Sequence, residues 1–194
     1  FYRIELNKNL KKINDLINSY KPKYIINFAA QGMVNESWIY PEDWYQTNLV
    51  SMTKLVKCIS KLKFIKIFLN FSTPEVYGNI SKLTDEKAFF NPTTPYAISR
   101  SAFDFHLLNL NKFYKFPVII TRTANVYGPY QDLYRVIPKT ILSIMNNKDI
   151  IIHGKGKSVR SFIHIQDVNK ALLRILNTKN IGKSFHISTD KFIS

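Results

Sequence analysis

Ile65-Lys66-Ile67-Phe68-Leu69-Asn70-Phe71 runs directly into Ser72-Thr73-Pro74-Glu75-Val76-Tyr77-Gly78, and one loop later the chain reads Thr94-Pro95-Tyr96-Ala97-Ile98-Ser99-Arg100. The first seven residues are β-branched and aromatic and stop at a Ser-Thr-Pro break, which predicts a short buried strand. Thr73 and Glu75 then lie just past its carboxyl end, where open parallel α/β sheets bind ligands. From Tyr96 onward Ala97, Ile98, Ala102, Phe103, Leu107 and Leu108 recur at helical spacing, so Tyr96 and Arg100 fall one turn apart on one face. A fixed positive charge one turn from a phenol favours the phenolate, the form a general base needs. An acid, a base and a cation are thereby expected around one pocket.

The alternation extends outward. Upstream, residues 9–19 read as an amphipathic helix, 24–28 as a strand, and 44–61 as a long helix with Leu49, Met52, Leu55, Val56 and Ile59 on its apolar face. Downstream come the strand Val118-Ile119-Ile120-Thr121, a helix starting in Arg135-Val136-Ile137-Pro138, a helix at Gln166-Asp167-Val168-Asn169-Lys170-Ala171 and a strand-like run over 184–188. Strands and helices taking turns at these lengths predict a parallel α/β sheet.

With 194 residues, 45% of them apolar and 21% charged, the chain can bury one good core. No stretch approaches the ~18 uninterrupted apolar residues of a membrane span. Lys and Arg outnumber Asp and Glu by 28 to 13, and the resulting +15 would concentrate phosphate-bearing partners. Lysines scattered on solvated faces account for the same figure, because no long block of like charge occurs. A nucleic-acid surface is not expected, since no basic and aromatic stripe interleaves. The single cysteine, Cys58, excludes an internal disulfide and fits a reducing cytoplasm. Histidines 106, 153, 164 and 186 lack ligand spacing, so no metal site is expected. His153-Gly154-Lys155-Gly156-Lys157-Ser158 ends like a P-loop, but Ile151 stands where the leading Gly is required and Ile150-Ile151-Ile152 reads as a strand, which argues against a nucleoside triphosphatase.

Thr73 with Tyr96-x-x-x-Arg100 resembles the Ser/Thr and Tyr-x-x-x-Lys active site of the extended short-chain dehydrogenase/reductases. Residues Ser72 to Gly78 are most similar to the nucleotide-sugar 4,6-dehydratases of the NAD-dependent epimerase/dehydratase family, and the resemblance covers nearly all of the chain. It implies an α/β fold: a Rossmann-like doubly wound parallel sheet over 1–125 and 157–194, lacking its first strand-helix units, with 126–156 as part of a small substrate-binding lobe. It further implies NAD as cofactor with NADP open, a nucleotide-sugar substrate, a cytoplasmic enzyme, and a homodimer through the helices at 44–61 and 101–113. The apolar faces of those helices would equally suit burial against the sheet.

The resemblance also assigns roles. Tyr96 would take a proton from a sugar hydroxyl as hydride leaves the same carbon, Thr73 would hydrogen-bond that oxygen, and Glu75 would remove the proton beside the new ketone. Tyr96 and Arg100 also match cofactor contacts. Ala29 and Ala30, in Asn27-Phe28-Ala29-Ala30-Gln31, match the pair lining the dinucleotide site, although helix-on-sheet packing asks for the same small residues. Thr47 matches a further cofactor contact and would serve equally as a capping hydroxyl. Thr73, Asn125, Arg135 and Arg160 match substrate contacts, Asn125 and Arg160 those to the sugar diphosphate. For Asn125 a turn before Gly128-Pro129 is the plain alternative, and for Arg160 a surface position.

Two residues depart from the pattern: Pro74 replaces an Asp that protonates the departing hydroxyl in many dehydratases, and Arg100 replaces Lys. Dehydration leads, with epimerisation or decarboxylation of a related sugar nucleotide as alternatives and a catalytically silent nucleotide- or RNA-binding module as the rival. The six glycines never form Gly-x-x-Gly-x-x-Gly, so the sequence reads as an internal piece of a longer protein carrying the pyrophosphate turn elsewhere.

Overall fold

The computed structural model describes residues 1–80, 83–150, 159–178 and 180–193. The glycine-lysine stretch at 153–158, most of the run 150–152 and the lobe limits at 156 and 157 lie outside them. In chain order the elements are helix α1 (Leu10–Tyr20), strand β1 (Tyr24–Asn27), helix α2 (Pro41–Tyr45), helix α3 (Met52–Ile59), strand β2 (Ile67–Ser72), helix α4 (Pro95–Tyr114), strands β3 (Val118–Thr123) and β4 (Asn125–Tyr127), helix α5 (Val136–Met145), strand β5 (Phe162–His164), helix α6 (Ile165–Leu176) and strand β6 (Ser184–Ile187). They fall into two units, Phe1–Arg122 with Thr178–His186, and Thr123–Asn177 with Ile187–Ser194.

The first unit is built on a sheet of order β1-β2-β3-β6. Its β1–β2 and β2–β3 ladders are parallel, with Tyr24 opposite Ile67 and Phe68 opposite Val118, so the chain must cross over by helix between them. Strand β2 is buried along nearly its whole length and β3 throughout, which is why both read as unbroken apolar runs. Phe68, Val118 and Ile120 point to one face, where Met52, Val56 and Ile59 of α3 and Phe103 and Leu107 of α4 close over them. Leu10, Ile13 and Ile17 of α1 pack against the same cluster.

Residues 44–61 were expected to form one regular helix. The helical run instead starts at Pro41, whose fixed φ suits a first turn, and passes through a π-helical segment at Gln46–Ser51 before α3 begins. The wider turn carries the fully buried Asn48. In the second unit β4 and β5 pair in parallel, Asn125 opposite Phe162, and α6 buries Val168, Leu172 and Ile175. No described helix is long and apolar enough to cross a membrane.

Candidate active site

Strand β2 ends at Ser72, and the next residue turns the chain. Thr73 is extended and caps a 3-10 turn over Pro74–Tyr77, its Oγ1 accepting the Glu75 amide at 3.2 Å. This leaves the Thr73 hydroxyl hydrogen free to donate. Thr73 is buried, Glu75 half-buried and Pro74 exposed, so the carboxylate is the turn's acidic group. Gly78 closes the turn at φ +71°, where a Cβ would collide with the Asn91 carbonyl oxygen.

Helix α4 starts with its own cap, Thr94 Oγ1 accepting the Ala97 amide at 3.1 Å. Tyr96 sits in the first turn, half-buried, and its backbone is held at both ends. Ser37 Oγ accepts the Tyr96 amide at 3.2 Å, and Ser99 Oγ donates to the Tyr96 carbonyl at 2.7 Å. Arg100 is 2% exposed and turns inward, Nη2 donating to the Phe71 carbonyl on β2, while its Nε and Nη1 have no partner among the described residues.

Behind β1 the loop is clamped by Asn48. Its Oδ1 accepts the Gln31 amide at 2.7 Å, and its Nδ2 donates to the Gln31 carbonyl and to Ser99 Oγ, each at 3.0 Å. Ala29 and Ala30 stay exposed beside this clamp, and the Ala29 amide donates to Asn27 Oδ1 at 3.2 Å. Half-buried Thr47 accepts from Asn7 Nδ2 at 2.9 Å. The first unit thus holds Thr73, Glu75, Tyr96, Arg100, Ala29, Ala30 and Thr47 on neighbouring elements, although no hydrogen bond joins the Thr73, Glu75 and Tyr96 side chains.

Beneath these residues runs a buried polar network. Asp104, one turn beyond Arg100 and fully buried, accepts Ser72 Oγ at 2.9 Å, Asn70 Nδ2 at 3.3 Å, and Nε and Nη2 of Arg122 at 3.3 Å. Burial pushes the Asp104 carboxyl up, and the guanidinium groups of Arg122 and Arg100 and the Ser72 hydroxyl pull it back. Asn70 Oδ1 in turn accepts Asn27 Nδ2 at 2.8 Å. Arg122 Nη1 donates to Tyr77 Oη at 2.8 Å, and the phenol shares a hydrogen bond with His186 Nε2 at 2.7 Å. The His186 amide donates to Glu86 Oε1 at 2.8 Å, and burial lowers the His186 imidazole from its ordinary value. Sequence reading passed over Asp104 and Asn48. The signal was a polar residue set within each helix's apolar spacing, where a buried charge or amide must have partners.

In the second unit, Asn125 is exposed on β4 and donates to the Ser161 carbonyl at 3.4 Å, which brings it beside the segment that follows Arg160. Arg160 is exposed and bridges Ile193 through its backbone. Arg135 precedes α5, its guanidinium 5.2 Å from the Tyr134 ring centre, and is not joined to the other two.

Residues 1–188 match the model of the NAD dependent epimerase/dehydratase family. The dTDP-D-glucose 4,6-dehydratase of Homo sapiens is 36% identical over 176 residues, taking in 90% of this chain and 50% of that protein. Among solved structures, dTDP-glucose 4,6-dehydratase of Bacillus anthracis in complex with NAD superposes with a TM-score of 0.89 at 28% identity, over all of this chain and 60% of the other. UDP-glucose 4-epimerase of Thermotoga maritima, solved with UDP-glucose, gives 0.91 at 27% identity over 99% and 63%. The chain spans about half the length of the curated relatives it matches. Strand, turn and helix are shared with enzymes that differ in reaction but not in fold, and the chain belongs to the NAD dependent epimerase/dehydratase family.

Proposed function

We propose that the chain carries the central part of an NAD-dependent nucleotide-sugar 4,6-dehydratase: oxidation at C4, removal of the C5 proton with help from Glu75, and loss of water. The observation that carries this reading is the placing of Thr73 and Glu75 on one capped turn at the end of β2, in the same unit as Tyr96 and Arg100 on α4. The likeness to the human and Bacillus dehydratases supports it.

The residues present fit a dinucleotide. Ala29 and Ala30, exposed after β1, leave the loop open to a flat ring, and half-buried Tyr96 at the start of α4 is proposed to reach the cofactor, while Arg100, 2% exposed, lies behind it with two donor nitrogens that have no partner among the described residues. Bound NAD would supply a hydride acceptor at C4 and, reduced, the donor that gives the hydride back at C6 after water has left, so that the net change is the loss of one water. Tyr96 Oη receives the proton of the C4 hydroxyl, and the Thr73 hydroxyl, whose oxygen is already engaged by the Glu75 amide, donates to the same sugar oxygen. The resulting ketone acidifies C5, and the Glu75 carboxylate takes that proton. In the second unit Asn125 and Arg160 are proposed as contacts to the sugar diphosphate and Arg135 as a further substrate contact, with residues 126–156 as part of the substrate lobe.

Pro74 favours a second reading. It carries no acidic proton for a departing hydroxyl, so epimerisation or decarboxylation, which need none, is the alternative. Incubating the full-length parent with NAD and a panel of nucleotide sugars, with products identified by mass, tests both. Loss of one water supports dehydration; an unchanged mass with an inverted centre supports epimerisation, and loss of carbon dioxide decarboxylation. Binding without turnover would overturn both in favour of a silent binding module.

A further inference from the structure

Asp104, on the helix that carries Tyr96 and Arg100, holds groups next to the turn that carries Thr73 and Glu75. Ser72, which donates to it, immediately precedes Thr73. Arg122, held by two of its nitrogens, donates through a third to Tyr77, the last residue of the turn that carries Glu75. Arg100 lies one helical turn before Asp104 and donates to the carbonyl of Phe71, which stands on β2 between Asn70 and Ser72, the two residues that donate to Asp104. Tyr96 lies two turns before it on the same helix. The remaining oxygen accepts from Asn70, which continues through Asn27 to the Ala29 amide.

A buried ion pair is a poor way to gain stability, because desolvation offsets the attraction and an apolar pair of the same volume does as well. The charge pair between Asp104 and Arg122 is fully buried on both sides, at 0% and 1% side-chain exposure. It also leaves a surplus: Arg122 has a partner on all three of its nitrogens, whereas Nε and Nη1 of Arg100 have none among the described residues. What the arrangement does provide is geometry, since three elements end on a single carboxylate.

We infer that Asp104 is a positioning residue, one buried carboxylate that sets the Thr73-Glu75 turn and the inward pose of Arg100 together. This rests on the proposed reaction for its kinetic consequence, but not for its structural one. The test uses the full-length parent with Asp104→Asn, and with Asp104→Leu combined with Arg122→Met, an apolar replacement that removes the unpaired charge left by the single change. Melting temperature, kcat, KM and the arginine Nε–H nuclear magnetic resonance signals are followed, the Arg100 signal being assigned by its loss in Arg100→Lys. The expected result is that the double variant regains the melting temperature lost in Asp104→Asn, while kcat stays down by about 100-fold, the scale of a small misplacement of reacting groups. KM should move by no more than about threefold, as for an interaction expressed after substrate is bound. The Arg100 Nε–H signal should shift and exchange faster with water in both variants. Recovery of kcat together with stability, with the Arg100 signal as in the parent, would overturn the inference and leave Asp104 a packing group. A parent without turnover would instead overturn the proposed reaction, and the Arg100 signal would then decide the placing of Asp104 by the same criterion.

Discussion

Glu75 and His186 are two side chains on which single-residue predictions rest. Glu75→Gln keeps the shape of the capped turn and removes the proposed base. Water loss should fall about 100- to 10,000-fold, the usual range for a positioned acid or base, and solvent deuterium should no longer enter at C5, read by mass. His186 makes a separate prediction. Its ring faces Tyr77, Arg122, Glu86, Asp85 and the Thr84 backbone, and burial holds the folded imidazole below its ordinary 6.5. Between those two values the unfolded chain binds a proton that the folded chain does not, so stability is full above 6.5 and falls as pH drops through the window. His106, lowered by burial on α4, acts in the same direction. Glu86, held below its ordinary 4.5 by the His186 amide and nearby positive charge despite desolvation, adds a further loss as pH falls beneath that value. Melting curves from pH 7.5 to 5 should slope downward, and His186→Gln should flatten that slope, which an unchanged slope would contradict.

At the level of elements, the four strands of the first unit's sheet and most helices were legible because burial imposes a period on sequence, whereas the short β4 and β5 were not. Strand β2 and helix α4 lie within two residues of where alternation and spacing put them. Leu107→Ala, deep in the cluster between α4 and the sheet, should cost about 2–5 kcal/mol in urea unfolding. The π-helical segment was not legible, since one extra residue in a turn leaves the apolar spacing of Met52, Leu55 and Val56 intact. Its reason lies elsewhere in the chain, at Gln31 and Ser99, and pairings between distant residues leave no local period. The same holds for the site. Thr73, Glu75, Tyr96 and Arg100 could be put forward as candidates because they sit at fixed offsets in one stretch. The Asp104 network joins four strands and a helix through single atoms, and a sequence displays none of those meetings. Asn48→Leu keeps the volume and strands three backbone and side-chain partners, so about 1–3 kcal/mol of stability should be lost, measured by the same unfolding.

For the whole molecule, the first unit leaves Val50 and Ile98 partly exposed, at 38% and 42%, on the two neighbouring helical runs proposed to mediate a homodimer. Light scattering on the full-length parent should give twice the chain mass, and Val50→Asp with Ile98→Asp should halve it. A second surface bears on handling. Among the described residues strand β1 pairs only with β2, and Tyr24 and Ile26 on it and Phe28 just beyond it are exposed. Such a rim is a template on which any extended chain can add a rung. Anyone expressing these 194 residues alone should therefore expect turbid, self-seeding preparations whose light scattering grows with concentration and subsides when a short β-forming peptide is supplied to occupy the rim.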